Sequence, residues 1–128
     1  VISSIYAALS ALWIVWLSFG VIKVRRAKQV KLGDGNEPEL QAAIRAQGNA
    51  TEYIPISLIL LVLLEFSKAP IALVHVGGCL ILAGRILHAK ALRTDNLRYR
   101  VLGMQLTFFA IIGLAIANLV YGGLTVFS

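Results

Sequence analysis

Four long apolar runs, separated by short polar breaks, organise this chain. They cover approximately residues 1–24, 38–66, 71–88 and 101–127. A helix needs about 20 apolar residues to cross a hydrocarbon core ~30 Å thick, so each run is long enough to span a membrane. The breaks carry turn chemistry: Gly33-Asp34-Gly35-Asn36 after the first run, Glu65 to Pro70 after the second, and Asp95-Asn96 before the fourth. The pattern predicts an all-α integral membrane protein, a four-helix transmembrane bundle running up-down-up-down, as a single domain over residues 1–128.

Local signals refine the elements. Asn36 is placed to cap the second helix, with Pro38 just inside it and Glu37 and Glu39 favourable near its positive end. That helix is amphipathic through Tyr53 and almost wholly apolar from Ile54 to Leu64. Pro55 removes a backbone donor there, which predicts a kink just beyond the polar half. The link from Glu65 to Pro70 permits only a tight turn, so the second and third helices are expected to be antiparallel neighbours. Gly77, Gly78, Ala83 and Gly84 on the third, and Gly113-xxx-Ala117 on the fourth, allow close helix approach in lipid.

Composition agrees with this picture. Of the 128 residues, 59% are hydrophobic and 14% charged, against roughly 45–50% and ~25% in soluble domains. Twelve Lys and Arg against six Asp and Glu give a net charge of +6. Most of that excess lies after the first run (Lys23, Arg25, Arg26, Lys28, Lys31) and after the third (Lys90, Arg93, Arg98, Arg100). The positive-inside rule then faces both basic loops to the cytoplasm and both termini to the periplasm. A bacterial inner membrane suits this arrangement. No extramembrane basic surface with groove-reading elements is present, so nucleic acid is not an expected partner. The first run has no basic n-region or clear cleavage site and reads as a retained helix. The lone cysteine, Cys79, reads as a small buried hydrophobe. His75 and His88 lie far apart without a cysteine at ligand spacing, so no metal is expected.

The chemistry concentrates in Arg45-Ala46-Gln47-Gly48-Asn49-Ala50-Thr51-Glu52-Tyr53-Ile54-Pro55. In a helix Arg45, Asn49, Glu52 and Tyr53 share one face, and such groups persist in hydrocarbon only where they pair, line a cavity or hold a ligand. Glu52 has a candidate partner in Arg45 or Arg85. An antiparallel hairpin brings Arg85 and His88 to the same depth, where the first helix ends with Arg25 and Arg26 and the fourth begins with Arg98, Tyr99 and Arg100. His75, Asn118 and Tyr121 lie towards the opposite end, and Asn49-Ala50-Thr51 is an accidental glycosylation sequon inside the membrane. A cation, an amide, a carboxylate and a phenol together suit a small zwitterion.

Arg45-Ala46-Gln47-x-Asn49-x-x-Glu52-Tyr53-x-Pro55 resembles the second-helix motif of the MAPEG family, membrane-associated proteins in eicosanoid and glutathione metabolism. Val24-Arg25-Arg26-Ala27 and Gly84-Arg85-x-x-His88 extend the resemblance, which covers essentially the whole chain. It implies a homotrimer with a glutathione site between subunits, open to the cytoplasmic side. Arg45, Gln47, Asn49, Glu52 and Tyr53 would hold the tripeptide, assisted by Arg85, His88 and one of Arg25 and Arg26. Arginines match its two carboxylates through charge-assisted bonds, and Glu52 matches its ammonium. The resemblance also implies an arginine at the start of the fourth helix that stabilises the thiolate. Arg98 and Arg100 are the candidates, with Arg100 preferred because it lies nearest the start of the span. Conjugating members usually carry a tyrosine where this chain has Leu92.

The resulting expectation is a membrane-bound glutathione transferase, with glutathione peroxidase as an accompanying activity, acting on lipophilic electrophiles that reach it through the bilayer. Glutathione is the co-substrate and no metal takes part. A non-catalytic glutathione- or lipid-binding scaffold of the same family is the alternative. A small multidrug exporter would need an acidic residue inside the first span, and that span has none.

Overall fold

The computed structural model describes residues 1–127. Four helices account for nearly all of them: α1 (Ser3–Lys28), α2 (Pro38–Phe66), α3 (Ile71–Arg93) and α4 (Leu97–Phe127). Each is long and apolar enough to cross a membrane. In hydrocarbon every backbone polar group must be satisfied within the segment, so long apolar runs become helices.

Three helices extend beyond the apolar runs. α1 continues four residues to Lys28, α3 continues to Arg93, and α4 begins at Leu97 rather than Val101. Hydropathy marks where hydrocarbon ends, whereas lysine, arginine, alanine and leucine continue a helix readily into the headgroup layer. Backbone geometry sets the actual stops. Gln29 turns left-handed (φ 54°), and the N–H groups of Gln29 and Val30 close back on the carbonyls of Arg26 and Arg25. Asn36 does not cap α2: Glu37 occupies that position without a side-chain bond, and Asn36 sits left-handed (φ 57°), its N–H donating to Asp34 Oδ1 at 2.9 Å. Asn96 does cap α4, accepting from the Tyr99 N–H at 3.2 Å.

α2 and α3 form the centre. α1 packs on both of them, α4 packs on their other side, and α1 and α4 do not touch among the described residues. One buried cluster joins Tyr6, Leu61, Leu64, Val74, Ile81, Ala110 and Leu114. A second joins Leu17, Ala46, Ala50, Ile54 and Ala89 towards the basic end. The α3–α4 contact is tightest at Gly84 and Gly103. A Cβ on Gly103 would lie 2.8 Å from the His88 nitrogen and 2.9 Å from the Gly84 oxygen, both backbone atoms that cannot step aside. Gly113 has open space around it, so Gly113-xxx-Ala117 makes no close approach within the protomer.

Two side-chain bridges secure the end away from the basic loops. Glu65 accepts from Ile2 N (2.6 Å), Ser3 N (2.8 Å) and Ser3 Oγ (2.6 Å), capping α1 from the last turn of α2. The Tyr6 hydroxyl pairs with His75 Nδ1 at 2.6 Å and lies 3.6 Å from Cys79 Sγ. Cys79 is exposed, not buried as its apolar surroundings implied, because it falls on the outer face of α3.

Candidate functional site

A cleft of about 760 Å³ opens at the basic end. All four helices contribute to it: Lys23 and Val24 from α1, Glu39 and Arg45 from α2, Leu92 and Arg93 from α3, and Arg100 from α4, with Asp95 from the α3–α4 turn. Its volume lies within the usual range of small-molecule sites. Four cations and two carboxylates line it, so its net charge favours an anionic ligand.

Arg45 and Arg100 are the expected site residues that reach this cleft, and Arg98 is not among those lining it. His88 is buried on α3, where its backbone faces Gly103 of α4.

The remaining expected residues are distributed around α2. Arg45 pairs with Glu52 at 3.4 Å across Gly48. Glu52 is thus partnered by Arg45 rather than Arg85, and the pair is half exposed on the outer surface of the protomer. Gln47 turns towards α1, with Nε2 3.5 Å from Ser18 Oγ. Asn49 is buried, and its Oδ1 has no hydrogen-bond partner among the described residues. Tyr53 points to α4, packing edge-on against Phe108 at 5.6 Å.

Arg85 is 2% exposed. Its Nε and Nη2 donate to Thr107 Oγ1 at 3.0 and 2.6 Å, Nη2 also meets Met104 Sδ at 3.3 Å, and the guanidinium lies 5.4 Å from the Tyr53 ring centroid. It clamps α3 to α4. A buried guanidinium needs such partners, because an unpaired charge in an apolar interior is heavily penalised. Arg25 is also engaged within the protomer, with Nη1 donating to the carbonyls of Gly33 (2.7 Å) and Val30 (3.5 Å). Arg26 lies with Arg25 in a separate groove.

Several contributors were not apparent in the sequence. Thr107 and Met104 gave no signal, since a threonine or methionine in an apolar helix reads as packing. Arg93, counted only among the basic residues after the third run, lies 4.7 Å from the Trp16 ring and reaches across the cleft to α1. Lys23, Glu39 and Asp95 entered only as loop and terminus charges.

The MAPEG family model matches residues 3–120. The chain belongs to the MAPEG family. It is 42% identical over 120 residues to "Inner membrane protein YecN" of Escherichia coli strain K12, covering 94% of this chain and 92% of the relative. The protein of the same name from Escherichia coli O6:H1 matches to the same extent. No solved structure matches significantly. The match spans all four helices, and its relatives are named as inner membrane proteins, in accord with an integral membrane chain of this location. MAPEG membership thus covers both the cleft and the motif on α2.

Proposed function

We propose that this protein is a membrane-bound glutathione transferase, with glutathione peroxidase as an accompanying activity, and that the cleft at its basic end holds part of the tripeptide. The observation that carries this reading is the meeting of Lys23, Arg45, Arg93 and Arg100 around one cleft in a MAPEG chain. In this reading the arginines engage the two carboxylates, and Glu39, Glu52 or Asp95 receives the ammonium. Arg100 stabilises the thiolate, because it lines the cleft near the start of α4. The lipophilic electrophile arrives from the bilayer along α1 and α4, which both expose large apolar side chains. Both termini then face the periplasm and the cleft faces the cytoplasm.

The half-exposed Arg45–Glu52 pair supports a homotrimer. Two charges within a span are unfavourable against lipid, and a neighbouring protomer would cover them. A site closed by that neighbour would also gather Glu52 with cleft residues that one protomer leaves apart.

The test is direct. Purified protein is mixed with glutathione and a chlorinated nitroaromatic, and conjugate formation is followed by absorbance. Arg100→Ala is expected to abolish turnover while Arg98→Ala retains it. No turnover, together with no glutathione-induced thermal shift, refutes the proposal. One observation favours a second reading, a glutathione-binding scaffold without catalysis: Leu92 lines the cleft where conjugating relatives carry tyrosine. A thermal shift with glutathione but no turnover supports that reading.

A further inference from the structure

At the end of the bundle away from the cleft, a second group of chemically active side chains comes together. His75 and Cys79 stand four residues apart on α3, which puts them one above the other on one face of the helix. Both are exposed on the outside of the protomer. Taken with His88 alone, His75 implied no metal ion; in α3 its neighbour is a thiol.

Tyr6 of α1 joins the two. Its hydroxyl lies 2.6 Å from His75 Nδ1 and 3.6 Å from Cys79 Sγ, and its ring meets the imidazole edge-on at 5.7 Å. Gly78 makes this approach possible. A Cβ there would fall 2.4 Å from Tyr6 Cγ, so the ring lies against bare backbone and Tyr6 is 8% exposed. A bond that served only to hold α1 to α3 would need no more than a buried acceptor. Both groups that Tyr6 reaches instead face outwards, and neither has another polar contact among the described residues.

With Nδ1–H donating to the phenol oxygen, His75 Nε2 keeps a free lone pair, and the phenol O–H is left to donate to sulfur. One hydroxyl then orients an imidazole and a thiolate, which is the role that outer partners play around metal ligands. We propose that His75 and Cys79 bind a soft monovalent metal ion, Cu(I), with Tyr6 as the anchor of both ligands. Charge and donor number select the ion. A thiolate and a neutral imidazole balance the charge of Cu(I), whereas Zn(II) would leave a net positive charge within an apolar span. Zinc sites also call for about four ligands. Among the described residues no third His, Cys, Asp or Glu joins the pair. Binding replaces the S–H bond with a Cu–S bond and releases the proton to water, with no change of oxidation state.

The full chain, reduced and purified in detergent, is loaded with Cu(I) and titrated with bathocuproine disulfonate, a chelator that reports Cu(I) by colour. A single ion per chain is expected to resist the chelator, less well as pH falls, and X-ray absorption should show both sulfur and nitrogen at copper. Cys79→Ser and His75→Gln should each release the ion. Tyr6→Phe keeps the ring against Gly78 and removes the hydroxyl, so it should weaken binding by about 10–100-fold. His88→Gln, at the other end of α3, should leave binding unchanged. Full release from the parent protein, retention by Cys79→Ser, or a copper spectrum without nitrogen would each overturn the site. Preference for Zn(II) would overturn the ion, and unchanged affinity in Tyr6→Phe would overturn the anchor. The absorption spectrum of the parent decides the ligands even where a variant does not fold.

Discussion

Thr107→Val isolates the clamp between α3 and α4. Valine has nearly the shape of threonine, so the substitution removes an acceptor without opening a cavity. Arg85 loses the oxygen that Nε and Nη2 reach at 3.0 and 2.6 Å, and keeps only Met104 Sδ and the Tyr53 ring. Hydrogen bonds to charged groups contribute about 1.5–3 kcal/mol in soluble proteins. Side-chain bonds between membrane helices average ~0.6 and reach ~1.7 kcal/mol, because the unfolded helices find other partners in the bilayer. Two short bonds from a guanidinium that is 2% exposed belong at the upper end. A loss of about 2 kcal/mol is expected, roughly thirtyfold in the folding equilibrium. Reversible unfolding by SDS in mixed micelles measures it. Thr107→Ser keeps the hydroxyl and should stay within about 1 kcal/mol of the parent. Arg85→Met/Thr107→Val removes donor and acceptor together and should be less destabilised than the sum of its single variants. Strict additivity, or a Thr107→Val protein as stable as the parent, would refute the clamp.

Gly103→Ala should destabilise the protein by roughly 1–3 kcal/mol by forcing α3 and α4 apart, whereas Gly113→Ala, with open space at its Cβ, should be neutral or slightly stabilising. The same SDS titration reads both, and equal effects would contradict the close approach at Gly103. Glu65→Ala removes three bonds from the start of α1 and should cost about 1–2 kcal/mol, with hydrogen exchange rising at the first amides of α1 and little elsewhere. Uniform exchange across the chain would show that Glu65 acts globally instead. Within the proposed function, Leu92→Tyr places a phenol in the cleft and should tighten glutathione binding several-fold, read by isothermal titration. Unchanged affinity would separate this position from the ligand.

The apolar runs alone determined the four helices, because hydrocarbon admits a single chain only with its backbone bonds closed inside each segment. They also determined that the polar groups gather near one end, since helix length and alternating direction set depth. Depth does not give rotation. Arg98 and Arg100 differ by two residues, about 200° around a helix, so only packed α4 shows that Arg100 lines the cleft. The same uncertainty left Glu52 with two candidate partners until the folded helix showed it paired with Arg45, and left Cys79 assigned to the interior. Arg85 illustrates the remaining gap. Its cost of burial was legible in the sequence, but its solution, a threonine two turns into the next helix's apolar run, depends on how closely Gly84 and Gly103 let the two backbones meet.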